Sequence, residues 1–479
     1  MRLKLPSFNL NIFVFQLSTT IDIRYFVSFE RFLYKKISLW ILIIVIIIGL
    51  IITILFGSMV MRSSTARSIA SIPDVIKKVI FNLADNDLVL SDDKSIFNGK
   101  SGMLKNPKYF QDLSYYLLLA RFDNEKNRSV VEMIDLKNQK IIHIWEPKIN
   151  KINSLSSLSK RSGNKIDLKR DHNLNRYQMY HPLLMPNGDL ITHSLSPLIK
   201  VDICSNLKWS VDNAYHHSNE LDHEGNIWVP AWALPEKTKG VNLDFDNSLD
   251  NFDSFFHDDE IHKISIDGKI LFTKTLISIL QENNLENLIF PVGENKDPLH
   301  LNDIQPVIKD SKYWKKGDVF LSLRNISLVM LYRPSTNKII WHKQGPWVFQ
   351  HDVDIINEKQ IAIFDNNRDD FLKSYVFDYS ETLIYDFEKN KILSPYTGAF
   401  KKNNIRTISG GLSEILDNGD IFVEETDRGR ILIMDKNGNI KWQYINRAKN
   451  GKIYVISWSR IIENIENDLL RKIKNSNCN

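Results

Sequence analysis

From about Tyr115 onward the chain alternates short apolar runs with Asn-Gly, Asp-Gly, Glu-Gly and Lys-Gly pairs and sustains no helical period. This is the pattern of strands joined by tight turns. Aligned on those turns, the runs form a unit of about forty residues. Each unit has a His-containing strand, a turn glycine, an apolar strand, a third strand with a polar end and a last strand ending in an aromatic. Copies begin at His181-Pro-Leu-Leu, His216-His-Ser-Asn, His300-Leu-Asn-Asp, His351-Asp-Val-Asp and Gly410-Gly-Leu-Ser. An earlier copy from Tyr115 has three strands, and Lys452-Ile-Tyr-Val-Ile-Ser-Trp is predicted to supply its fourth, closing a ring and removing the exposed edges. The expected fold is all-β, a six-bladed β-propeller over residues 111–460.

The N-terminal part is different. No charged residue occurs from Ile37 to Met61, a stretch long enough as a helix to cross a hydrocarbon layer of roughly 30 Å. It starts late and lacks a small-residue cleavage site, so an uncleaved anchor is expected rather than a signal peptide. Six basic side chains precede it and four follow within twenty residues, which puts residues 1–36 in the cytoplasm and the propeller in the periplasm or outside the cell, as a single-pass inner-membrane protein. Residues 62–110 read as a spacer. The tail 461–479 carries helical periodicity. Two insertions interrupt the repeats, a basic one at 148–172 and an acidic one at 236–260.

Composition narrows the function. Across 479 residues the formal charge is +5, without a dense basic run in the repeats, which argues against nucleic acid as a partner. Cys204, in a predicted strand, and Cys478 are far apart and form neither a disulfide framework nor a metal-ligand spacing, so no bridge is expected.

In a propeller the first strand of each blade lines the central channel, so equivalent positions face one volume. That register holds His181, His216 or His217, His300 and His351. With Arg324 at the end of a second strand, these imidazoles would bind a tetrahedral anion and offer a nucleophile. Alternation leaves open which of His216 and His217 faces inward. Asp352 or Asp354 would fix the tautomer of His351.

At these residues the sequence resembles the arylsulfotransferase family, bacterial enzymes that move a sulfuryl group without a nucleotide donor. The stretches are His216-His-Ser-Asn-Glu-Leu-Asp-His-Glu-Gly-Asn-Ile-Trp-Val, Leu299-His-Leu-Asn-Asp-Ile, Leu321-Ser-Leu-Arg-Asn, Gly345-Pro-Trp-Val-Phe-Gln-His-Asp with Phe364-Asp-Asn, and Gly429-Arg-Ile, in order between about 180 and 450. The resemblance implies a six-bladed propeller with His351 as the residue transiently sulfurylated, His300 and Arg324 holding the sulfate oxygens, and His216 or His217 supplying a further histidine. It implies an aryl sulfate donor, a phenolic or other hydroxyl acceptor, and no cofactor or metal. Two other readings compete. One is a non-catalytic anchored propeller that binds a protein or anionic glycan, and the other is a histidine metal site. Oligomeric state is left open.

Overall fold

The computed structural model describes residues 44–50, 52, 88–160, 168–169, 172–233, 258–289, 297–368 and 376–478. The chain divides into two compact units, Met1–Ala84 and Asp85–Asn479. In the first unit, residues 44–50 and 52 are helical, and the rest of the predicted anchor at 37–61 lies outside the described residues, as do residues 1–36. Among the described residues no helix is long and apolar enough to cross a membrane. The acidic insertion lies outside them up to residue 257.

The second unit is an all-β, propeller-like arrangement of antiparallel sheets. Three sheets are four-stranded: Leu301–Pro306 to Lys338–Gln344, Val353–Asn357 to Lys391–Leu393, and a third ordered Arg460–Ile462, Tyr116–Asp123, Arg128–Asp135, Lys140–Trp145. A fourth, Leu412–Ile415 to Ile440–Ile445, takes Gly102–Lys105 on its outer edge as a fifth strand. The stretch from Tyr180–Leu184 to Ile270–Thr275 forms an eight-stranded sheet, whose two halves join through one pairing, Ala231 with Tyr215.

The strands are short because turn chemistry ends them. At the hairpin carrying Glu224-Gly225, Gly225 adopts φ +77° and its N–H donates to Asp222 O (3.0 Å), while the Asp222 carboxylate accepts the N–H groups of Glu224 and Asn226. Only glycine takes that left-handed position without cost. Between sheets the inward side chains interlock. Phe320, Val329 and Leu331 of one sheet pack on Val353, Ile361 and Ile363 of the next.

The closing strand lies later than the sequence pattern predicts. Arg460–Ile462 pairs with Tyr116–Leu118, whereas Ile453–Tyr454 pairs with Val89–Ser91, and Ile456 makes only a single bridge, to Arg121. Residues 88–110, read as spacer, thus supply two strands to this unit. Local β-richness cannot distinguish two adjacent apolar runs when each has a partner far away in sequence.

The expectation about cysteine is corrected. Cys204 and Cys478 form a disulfide, with Cys204 in a turn rather than a strand. The helix Asn467–Lys474 carries the tail back to that turn and buries Ile473 against Trp145 and Val201. The pairing was invisible in the spacing because ring closure, not chain proximity, brings residue 478 beside residue 204. Reducing the bridge, or the substitution Cys478→Ser, is expected to release the tail and cost about 2–4 kcal/mol, read as a lower thermal midpoint that thiol reagents reproduce.

Candidate active site

The histidines stand at the entries to the first strands. His181 lies in Tyr180–Leu184, His217 just ahead of Glu220–Leu221, His300 directly ahead of Leu301–Pro306, His351 ahead of Val353–Asn357, and Trp458 ahead of Arg460–Ile462. At each entry the backbone passes through the left-handed region: His181 at φ 39°, His217 at 60°, His300 at 56°, Phe349 at 57° and Trp458 at 57°. Non-glycine residues rarely adopt this region, and each instance costs about 1–3 kcal/mol, so its repetition around one mouth marks a shared constraint.

That constraint brings the rings together. The His217 ring lies 5.0 Å from His300 and 6.0 Å from His351, centroid to centroid. The Trp458 indole sits edge-on to His217 (5.7 Å), His351 (6.2 Å) and His181 (5.5 Å). Of the adjacent pair, His217 is the residue inside the cluster. His216 joins its Nδ1 to that of His217 at 2.8 Å and turns its Nε2 toward Asp259, at 3.3 Å. His181 is adjacent but engaged elsewhere, its Nδ1 accepting from Asn219 N–H at 3.3 Å and its Nε2 3.6 Å from Glu220.

Arg324 opens the turn Arg324–Ile326. Its N–H donates to the carbonyl of His300 (3.0 Å), which locks the two residues in register, and its Nε donates to Asn325 Oδ1 (2.9 Å). The His300 Nδ1 bonds the Asp297 carboxylate, while the His300 Nε2 is buried without a hydrogen-bond partner.

His351, 1% exposed, is held at both ring nitrogens. Asn366 Oδ1 lies 2.6 Å from its Nδ1, and Gly410 N–H donates to its Nε2 at 3.0 Å. The expected orienters Asp352 and Asp354 do neither. Asp352 instead accepts Ser413 N–H at 3.0 Å, and Asp354 lies among Asp303, Glu220 and Arg460. Alternation on an extended strand sends a residue's neighbour to the other side, so the partner comes from across a hairpin. The Gly410-Gly411 turn has no room for side chains: a Cβ on Gly411 would fall 2.7 Å from Thr407 and 2.8 Å from Phe364.

The electrostatics favour neutral imidazoles facing one cation. Burial, followed by the Arg324 guanidinium and His300, holds His351 well below the usual imidazole range. Burial, the neighbouring imidazoles and Arg324 do the same to His217. His300 is lowered by burial and Arg324 against the pull of Asp297. Burial would raise the Asp297 carboxyl, but His300 and Arg324 outweigh it and bring it down to about 2. Asn366, Gly410, Asp297 and Trp458 were all missed by sequence reasoning. The only signal for Asn366 was its place in Phe364-Asp-Asn.

Deeper in the channel, burial and neighbouring carboxylates push Asp303 and Glu414 up to about 8. A raised native value stabilises fully below the unfolded value near 4 and loses that stability as pH rises through 8. The histidines contribute their own loss only below about 6.5. Between pH 6.5 and 9 the thermal midpoint is therefore expected to fall as pH rises, and Glu414→Gln should flatten that slope.

Among the described residues no group of three or more His, Cys, Asp or Glu side chains is arranged to hold a metal ion. A propeller-like scaffold that converges imidazoles and a guanidinium on one buried mouth defines an anion-handling site. The family model for arylsulfotransferase (ASST) matches residues 181–447, more than half of the chain, a stretch that includes the site's histidines and Arg324. The chain belongs to the arylsulfotransferase family and is an arylsulfotransferase-like enzyme. No curated protein matches it. Solved structures that resemble it include a protein of unknown function from Bacteroides caccae, 11% identical over 73% of this chain and 99% of that one, with a TM-score of 0.44. Others are virginiamycin B lyase from Staphylococcus aureus (10% identity, 57% and 71% covered, TM-score 0.32) and the Pan2 WD40 domain of Neurospora crassa (10%, 70% and 80%, 0.36). At such scores none of these bears on function.

Proposed function

We propose that this enzyme transfers a sulfuryl group from an aryl sulfate to a phenolic or other hydroxyl acceptor in two steps through a sulfurylated His351. The observation that carries the reading is the pairing of His351 Nδ1 with Asn366 Oδ1 beside His217, His300 and Arg324. An amide oxygen only accepts, so Nδ1 carries the proton and Nε2 the lone pair. In the first step Nε2 attacks sulfur, the S–O bond to the aryl group breaks, and the aryl oxide leaves with the bonding pair and picks up a proton at the mouth, where His217 stands. In the second step the acceptor hydroxyl gives up a proton and its oxygen attacks the sulfuryl group, restoring His351. Such a transition state is loose and spreads charge over the non-bridging oxygens, so positioning and cationic donors do most of the catalysis. Arg324 is the group suited to those oxygens, and the unpartnered Nε2 of His300 joins it when that ring, held by Asp297 through Nδ1, takes up a proton. Gly410 N–H yields Nε2 to sulfur and is then beside the sulfuryl oxygens.

Six blades are part of this reading. Support comes from buried clusters that join successive sheets cyclically, one of which packs Leu183, Ile191 and Leu198 of the eight-stranded sheet on its own other half at Ile227, Val229 and Ala231, as two stacked blades would. Placement outside the cytoplasm, on an inner-membrane anchor, is supported by the disulfide, which belongs to an oxidising compartment, and by the uncharged stretch Ile37 to Met61.

The test is mass spectrometry of the His351 peptide after brief exposure to an aryl sulfate. A sulfo-adduct on His351 is expected. No adduct and no acceptor-dependent phenol release across a broad donor panel would overturn the reading.

A further inference from the structure

Asn366 follows the strand Gln360–Asp365, fifteen residues beyond His351, and its carboxamide spans the gap to the Gly410 turn. Its Nδ2 donates to two backbone carbonyls, Thr407 O at 3.0 Å and Gly410 O at 2.8 Å. Carbonyls only accept, so the amide has one tenable orientation, with Oδ1 toward His351. Asn366 is fully buried, so a flipped amide would face two acceptors with a third. The orientation of one amide therefore dictates the tautomer of the ring. Through Gly410, whose carbonyl it holds and whose N–H meets Nε2, the same side chain also governs the environment of the other ring nitrogen.

We propose that Asn366 is a positioning residue that locks His351 in the Nδ1–H tautomer and so presents Nε2 as the nucleophile. The inference rests on the reading of His351 as the sulfuryl acceptor. The choice of an amide is functional. Across the cluster, His300 is oriented by a carboxylate, Asp297, which stabilises a cationic ring. A carboxylate at Asn366 would do the same to His351 and remove its lone pair. The charged and titratable groups acting on His351 are Arg324, His300 and His217, while its chain neighbour Asp352 is turned to the Ser413 amide. None of these accepts a proton from Nδ1; the backbone of Phe349 also bonds the ring, and Asn366 is the side chain that fixes Nδ1.

The test uses the full chain with nitrogen-15 labelled histidine. In the wild type, His351 Nδ1 should give a protonated, pyrrole-type resonance and Nε2 a bare, pyridine-type one, assigned by their disappearance in His351→Asn. Asn366→Ala should mix the two forms and lower kcat by about 10- to 100-fold, the usual cost of removing such an orienting partner, with KM little changed. Asn366→Asp should move the acid limb of kcat/KM to higher pH. The opposite tautomer in the wild type overturns the proposal even if both variants misfold. An unchanged kcat and tautomer in folded Asn366→Ala also overturns it. Turnover retained in His351→Asn would instead sink the underlying reading of the nucleophile.

Discussion

Replacing His351 by asparagine is expected to abolish both the sulfo-enzyme and acceptor-dependent phenol release, while the protein stays folded. Asparagine is the informative choice because its Nδ2 can occupy the place of the ring Nδ1–H and donate to Asn366 Oδ1, now 2.6 Å from that nitrogen. That donor and acceptor therefore stay paired, and the group left without its partner is the Gly410 N–H, at a cost of about 1–3 kcal/mol. What is lost is Nε2, the only atom of the side chain that can bond to sulfur. Removing a nucleophile in comparable covalent mechanisms lowers kcat on the order of 10⁴- to 10⁶-fold. The thermal midpoint should shift by only a few degrees. Residual turnover above about one per cent of wild type would mean that another group attacks sulfur, and the adduct spectrum of the variant would show which.

The sequence carried the skeleton of this site but not its second layer. His181, the His216-His217 pair, His300 and His351 were legible because each opens a repeat, though which of the pair faces the site was not, and every first strand enters the channel mouth through a backbone bend. The bend itself, five times in non-glycine residues with φ between 39° and 60°, leaves no compositional trace. Partners of the rings were legible only where they lay nearby in sequence, and nearness misled: Asp352 stands beside His351 in the chain but on the other side of the strand, whereas Asn366 reaches it across a hairpin. Trp458, which touches three of the histidines, comes from the far end of the domain and is delivered by ring closure. The same closure hid the disulfide and displaced the last strand from Lys452–Trp458 to Arg460–Ile462. Contacts that depend on joining chain ends are the ones a repeat pattern cannot locate.

Replacing Arg324 by alanine is expected to lower kcat/KM by about 10³-fold, the scale seen when a cation facing a transferring group is removed, and also to reshape the pH profile. The guanidinium helps to hold His351, His300 and His217 below the ordinary imidazole range. Without it their values rise, while burial still holds them below the ordinary imidazole range. Attack needs neutral His351, so the acid limb of kcat/KM should move to higher pH, and the deficit should be larger at pH 6 than at pH 8. What remains at pH 8 is the loss of charge stabilisation in the transition state alone. Arg324→Lys should restore the charge but not the planar fork, recovering the limb position before the rate. Stability separates this account from a non-catalytic propeller. If Arg324 were a structural tie, its removal would lower the thermal midpoint with no chemistry to lose. As a cation set against imidazoles, it opposes their protonation in the folded state. Arg324→Ala should therefore hold its midpoint at pH 8 and lose less than wild type on going to pH 5.5. A large midpoint drop at both pH values, with transfer unaffected, would contradict the catalytic assignment.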